Sequence, residues 1–539
     1  MPRVRSQSHG GLSRRSFLAR SLALGGGLAG LDLLRRSAIS SPVLAQAAGA
    51  PKRGGTLVAA QEVDPVSLDP HTNSNYSALQ GYEHIYESLT GYDEKTNIVP
   101  ALAERWDISN GGKTYVFHLR PNVKFHNGQP LTAEDVKYTV ERILDPKTAS
   151  PWRNWLDSIQ EIKIVDPLTI QMNLDAPYPG LLGSFAGMRA SGIIPKGLAE
   201  RENLKIKAIG TGPFKLVEYV PQDHITYARN PDYWDKPLPY LDGMVFKVLT
   251  EENARLAALR AGQVQYAYLS AQGVAQLEGA SGITVMKSPY AWVVLHYINV
   301  YQKPLSDARV RRAMRMAVDT TEVIQKAVYG AGVPSGPIPT GYGDWSLDPK
   351  SLPYLKPDIE GAKKLLAEAG YPNGFKIEIK CSPQYPEFVA TTLVAQEAFK
   401  KIGIESTVTQ MEWGAFVAAN NKAIQSGGKE GGEIFASANT FRPDPDGYIY
   451  PYFHSQGKLN EGGYVNPKLD PLMAEARSIS NHEERWKLYQ QIQRTLLEDS
   501  PNWWWYAKFN IEALSSRVQG YAQSFTGRRI FLKKTWLAS

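Results

Sequence analysis

Gly210-Thr211-Gly212-Pro213-Phe214-Lys215-Leu216-Val217-Glu218-Tyr219-Val220 opens the stretch, running on to Leu269, whose reading decides the fold. The Gly/Pro cluster forces a turn, and Phe214 to Val220 then alternates apolar and polar residues as a half-buried strand does. Pro221-Gln222-Asp223 breaks the run, Ile225 to Arg229 supplies a second strand, and Asn230-Pro231-Asp232-Tyr233-Trp234 cannot continue a ladder. Two antiparallel strands are expected. After Pro237 to Pro239, Met244 to Leu249 reads as a third and more deeply buried strand. Asn253 to Ala261 reads as a short helix closed by Gly262, and Val264 to Leu269 extends again. This is the core of an α/β domain, and it is silent about chemistry.

The chain has 539 residues, room for about three domains, and its 43% hydrophobic content is ample for buried cores. A net charge of +7 and a pI near 9.0 suggest a polyanion partner until the charge is located. Residues 1–47 hold seven arginines (Arg3, Arg5, Arg14, Arg15, Arg20, Arg35 and Arg36) and one acid, Asp32. The body is therefore close to neutral and has no general reason to seek nucleic acid.

That leader has a basic start, an apolar stretch from Leu18 to Leu34 interrupted by glycines, and Ala45-Gln46-Ala47, a small-x-small cleavage pattern. Ser13-Arg14-Arg15-Ser16-Phe17-Leu18 fits the twin-arginine pattern, so residues 1–47 are predicted to be a twin-arginine signal peptide. Cys381, the single cysteine, excludes an internal disulfide and every Cys-based metal motif, and reads as a packing residue at a strand end.

Along the chain, Gly54 to Ala60 reads as the first strand and Asp64 to His71 as an extended segment. Leu79, Tyr82, Ile85, Tyr86 and Leu89 recur at helical spacing, which predicts a helix over 78–92. Thr114 to Arg120 alternates as a strand. Thr132 N-caps the next helix with Asp135 in the reciprocal position, which explains these side chains without acid/base chemistry. Two strands flank Asp166-Pro167 between Ile159 and Leu174.

Beyond Leu269, Met286 to Val300 is an extended run carrying Tyr290, Trp292, His296 and Tyr297. A helix follows Pro304, and Arg309, Arg311, Arg312 and Arg315 on it read as a solvated face paired with acids. Helices at 359–369 and 388–401 bracket the strand ending at Cys381, giving a mixed sheet with a crossover. Glu433 to Ala438 is a strand entering the loop Asn439 to Gly447, whose paired aspartates lack the EF-hand spacing. A Phe-, Arg- and Asp-bearing loop at a strand's carboxyl end is a ligand-contact candidate. Helices at 471–478 and 482–499 precede Trp503-Trp504-Trp505, expected partly at a domain interface or ligand wall.

Ten phrases in order, "GGTLVAAQ", "SLDPH", "IYESLT", "VPALAERW", "TYVFHLRPNVKFHNGQPLTAEDV", "GTGPFKLVEY", "RNPDYW", "LSDARVRRAMRMAVD", "AKKLLAEAGYPNGF" and "PDPDGY", resemble the family 5 extracytoplasmic solute-binding proteins of ABC importers, the dipeptide, oligopeptide and nickel class. The resemblance spans almost the whole chain after the leader. It implies an α/β, two-lobed periplasmic-binding-protein-like fold (type II, cluster C) with an extra α/β domain. Domain I would comprise 53–75, 206–290 and 507–539, domain II 76–205, and domain III 291–506. The implied function is the substrate-binding component of an ABC import system, capturing a peptide or peptide-like solute between hinged lobes and delivering it to the permease. A monomeric periplasmic protein is implied, with no enzyme activity, cofactor, metal or nucleic-acid partner.

In peptide-binding members an aspartate shortly before the region matching Asp444-Pro445-Asp446 pairs with the ligand's amino group. Alignment on that motif puts Phe441 there with Arg442 beside it, which suits a carboxylate, phosphate or flat ligand better than an amine. By the same comparison Trp413 lines the pocket, Tyr290 and Trp292 lie at one lobe crossing, and Asn75 and Tyr76 at the other; Asn439 and Asp444 belong to the candidate loop itself, where Asp444 or Asp446 would substitute for the amine-binding acid if the loop shifts. Arg442 is the leading single candidate. The rivals are an exported hydrolase, for which no G-x-S-x-G, HExxH or phosphate loop is present, and a peptide-binding chaperone.

Overall fold

The computed structural model describes residues 49–538 apart from 74–75, 188–191, 278, 427–428, 431, 458, 461 and 480. The predicted signal peptide and Asn75 lie outside the described residues.

The hairpin expected from the opening stretch forms. Phe214–Val220 pairs antiparallel with His224–Arg229, which pairs in turn with Gly243–Val248. Gly243–Val248 runs parallel to Thr56–Gln61, from Thr56 opposite Gly243 to Gln61 opposite Val248. Helix Glu252–Arg260 is followed by Gly262 at φ 70°, a left-handed conformation that suits glycine, and the chain returns as Tyr266–Tyr268 beside Thr56–Gln61.

Two long strands, Ile283–Ile298 and Asn502–Ser515, carry this sheet from one lobe into the other. They pair antiparallel in two blocks, Ile283–Pro289 with Ser515–Phe509 and Val293–Tyr297 with Ala507–Asn502, and the register shifts between the blocks. The first block continues through Tyr266–Tyr268 to the strands above. The second continues through Ile434–Thr440 to Lys376–Cys381 and Glu405–Gln410. The fold is thus α/β and two-lobed, with, among the described residues, one 11-stranded sheet serving both lobes and an irregular ladder at the crossing. Among the described residues, a separate antiparallel sheet of four strands (Ala103–Ser109, Thr114–Leu119, Thr169–Leu174, Ile159–Asp166) packs under helix Ala133–Leu144. At that helix's start Thr132 donates its backbone N–H to Asp135 Oδ2 at 2.9 Å, the reciprocal cap read from the sequence.

Three expectations need correction. The helix read over 78–92 ends early, as Tyr76–Tyr82, although Leu79, Tyr82, Ile85, Tyr86 and Leu89 are all buried. The carbonyls of His84, Ile85 and Glu87 accept from the N–H groups of Phe214, Gly212 and Ile193 instead of from their own helix. A Cβ on Gly212 would sit 2.5 Å from His84 O, so this approach requires glycine there.

Arg311 and Arg315 are not on a solvated face: they are 4% and 7% exposed. Arg311 donates to the carbonyls of Leu305, Ser306, Asp499 and Ser500, capping helix His482–Asp499. Arg315 lies 4.6 Å over the Trp505 ring and donates to Thr320 Oγ1 at 2.7 Å. Burial pulls both guanidinium groups down to about 10.

The three tryptophans are core. Trp503 and Trp505 pack on the helix-covered face beside His296, Trp504 on the opposite face against Phe453. Cys381 is fully buried at the end of its strand, and burial pushes its thiol up to about 11.

Candidate functional site

Ile434–Thr440 delivers its chain into the loop 441–445 and thence to helix Asp446–Phe453. The loop is held from within. Asp444 binds Arg485 through both carboxylate oxygens and accepts the Asp446 N–H at 2.8 Å. Arg442 N–H donates to Tyr448 Oη at 2.9 Å, and Tyr342 donates its hydroxyl to Arg442 O at 3.0 Å. Burial raises Asp446 to about 6 against the opposing pull of Arg477, whose Nε lies 3.5 Å away.

From this base the loop reaches residues far back in the chain. Tyr92 donates its hydroxyl to Pro443 O at 3.1 Å, and a Cβ on Gly183 would lie 2.0 Å from the same oxygen. Phe441, 3% exposed, sits edge-on to Tyr92 (6.1 Å), Trp155 (6.2 Å) and Phe525 (5.6 Å).

On the other side of Thr440 the strand register places Trp292, the start of an aromatic row. Tyr290 stacks on Trp292 at 6.3 Å, Trp292 meets Tyr385 at 6.1 Å, and Tyr385 meets Trp413 at 5.0 Å. Tyr290 and Trp292 fall in the register shift where the sheet passes between lobes. Arg442 links the strand to the helix that follows the loop: Nη1 donates to Thr440 Oγ1 at 3.2 Å and Nη2 to Tyr452 Oη at 2.6 Å. Tyr297 donates to Asn439 Oδ1 at 2.6 Å and stacks on Tyr452 at 6.2 Å.

The structure therefore gathers Tyr290, Trp292 and Trp413 into one row, and Asn439 and Arg442 into one polar patch. Phe441 and Asp444 sit in the loop that docks across. Both oxygens of Asp444 are already engaged by Arg485, so it does not stand free as an amine acceptor. Tyr76 opens helix Tyr76–Tyr82. Sequence reasoning did not single out Tyr385 or Tyr452. Tyr385 precedes Pro386 at the start of helix Pro386–Lys400, and Tyr452 precedes Phe453 on a short helix; neither position carries a periodic signal. Among the described residues no group of three or more His, Cys, Asp or Glu side chains is gathered as metal ligands.

The loop 441–445 thus reaches Tyr92, Trp155 and Gly183, and the aromatic row lies at the sheet crossing beside the strand that delivers it. The model of the bacterial extracellular solute-binding proteins, family 5 (middle), matches residues 97–460. The chain belongs to this family. Among its relatives, the glutathione-binding protein GsiB of Pectobacterium atrosepticum is 28% identical over 84% of this chain and 89% of that protein. The heme-binding protein A of Haemophilus influenzae is 30% identical, covering 87% of this chain and 89% of its own length. The solved structure of HbpA2 from Haemophilus parasuis superposes with a TM-score of 0.81 at 27% identity, over 90% of this chain and all of that one. Like other family 5 binding proteins, this chain is the substrate-binding component of an ABC import system, and its fold is theirs.

Proposed function

We propose that the solute is a peptide or peptide-like small molecule, held between the lobes by Tyr290, Trp292, Trp413, Asn439 and Arg442, with Phe441 and Asp444 bordering the cleft. The observation that carries this reading is the position of the aromatic row and the Arg442 loop, which both lie where Ile283–Ile298 and Asn502–Ser515 cross from one half of the sheet to the other. The names of the glutathione-binding relatives support a peptide-like ligand.

Ligand contacts made on both lobes together favour the closed arrangement, and moving a pair of states from 1:99 to 99:1 takes about 5.5 kcal/mol of differential affinity. The closed form is what the importer's membrane subunits receive. Lobe membership follows the division into 53–75 with 206–290 and 507–539, 76–205, and 291–506. The leader pattern at Ser13 to Leu18 supports twin-arginine export to the periplasm, and the protein acts there as a monomer without turning its ligand over.

The test is calorimetry and small-angle scattering on the chain from residue 48 onward with glutathione and unmodified di- and tripeptides. Saturable binding with a smaller radius of gyration is expected, and Trp413→Ala should weaken it about tenfold. Unchanged scattering with every such solute, or product formation, would sink the reading.

A further inference from the structure

We infer that the solute is an anion whose carboxylate is received by Arg442, with the side-chain amide of Asn439 as the second donor. This rests on the cleft described under the proposed function and narrows its ligand.

The charges around the loop do not balance. Three arginines and two aspartates meet there. Arg485 takes Asp444, with Nη1 at 2.8 Å from Oδ2, and Arg477 Nε faces Asp446 at 3.5 Å. Arg442 is the arginine left over. Its Nη1 donates to Thr440 Oγ1 and to Phe441 O at 3.3 Å, its Nη2 to Tyr452 Oη, and among the described residues no carboxylate pairs with it. A largely enclosed guanidinium with only neutral contacts lacks its counter-charge.

Asn439 points to the same need. It is 1% exposed, and because its Oδ1 accepts from Tyr297, the remaining amide nitrogen is a donor; that Nδ2 is buried and has no partner. The two residues are linked through stacked rings, since Tyr297 bonds Asn439, Arg442 bonds Tyr452, and the two tyrosines stack at 6.2 Å. A guanidinium without a counter-charge beside an amide nitrogen without an acceptor selects an oxyanion, and a planar guanidinium meets a carboxylate in two parallel bonds. A ligand ammonium finds the reverse, since both acids of this loop face arginines.

The experiment uses the chain from residue 48 onward with glutathione, trialanine and succinate as free acids and as methyl esters, the two peptides also N-acetylated, and inorganic phosphate as a separate arm. At least one free acid is expected to bind saturably, with esterification weakening it at least tenfold and N-acetylation changing affinity less than about threefold. Arg442→Gln should abolish the preference for acid over ester, and Arg442→Lys should retain part of it. Without ligand, Arg442→Met breaks no ion pair and loses only bonds to neutral groups, so its melt should fall by no more than about 4 °C. Equal binding of acid and ester, loss of binding on N-acetylation, tighter binding of phosphate than of every carboxylate, or an intact preference in Arg442→Gln would overturn the inference. Saturable binding of neutral or amine-dependent probes alone would sink it while leaving the proposed function standing. Absence of saturable binding by acids, esters and acetylated probes alike counts against both.

Discussion

Arg485 Nη1 lies 2.8 Å from Asp444 Oδ2, with the two side chains only 5% and 10% exposed. This pair fixes the loop that presents Arg442, because Asp444 also accepts the N–H that starts helix Asp446–Phe453. Arg485→Met would leave a carboxylate buried alone, which costs about 3–5 kcal/mol. Urea unfolding should show that loss, and Asp444→Leu combined with Arg485→Met should recover most of it. A single substitution costing under about 1 kcal/mol would mean the carboxylate reaches water.

Gly183 controls how closely the loop docks. A Cβ there would sit 2.0 Å from Pro443 O, a backbone atom that a rotamer change cannot move. Gly183→Ala should therefore hold the lobes apart and weaken ligand binding by more than tenfold, while the unfolding midpoint without ligand falls by a smaller margin. Scattering that reports the same ligand-induced compaction in both proteins would contradict this.

Buried histidines set a pH dependence. Burial holds His84 down to about 3, where it lies among Phe214, Tyr227 and Phe246, and holds His296 down to about 3 and His71 to about 4. Each folded value lies below the unfolded value of about 6.5, so the unfolded chain binds more protons. Their contribution to stability is complete above pH ~6.5 and is lost as pH falls toward 4. Asp446, raised to about 6, works the other way between pH 6 and its unfolded value. His84→Phe should remove one proton of uptake, flattening the stability slope by about 1.4 kcal/mol per pH unit near pH 5. Identical slopes for the two proteins would refute the assignment.

Arg311 joins two helices through backbone carbonyls. Arg311→Met strands several of those carbonyls and should cost about 3 kcal/mol, read by chemical unfolding. Half-buried Arg312, which donates to Glu498 O at 3.1 Å, should cost under about 1 kcal/mol on the same substitution.

The strands around Gly210 to Leu269, the cap at Thr132 and Asp135, and the helix His482–Asp499 were legible because each depends on neighbours in the chain: alternation, a reciprocal cap three residues apart, periodic burial. The helix read through Tyr92 was not, because the carbonyls that end it bond to residues more than a hundred positions away. The arginines of helix Ala308–Met316 misled for the same reason: which face is wet depends on helix His482–Asp499, and nothing in the local spacing says so.

By itself the sequence determined the α/β class, the family and the candidates Arg442, Trp292 and Trp413, since local pattern and ordered phrases are properties of the string. Only the tertiary structure decided which charges cancel. Asp444 and Asp446 find Arg485 and Arg477 from more than thirty residues away, and among the described residues Arg442 is left without a carboxylate, because pairing energies depend on distance in space and not along the chain.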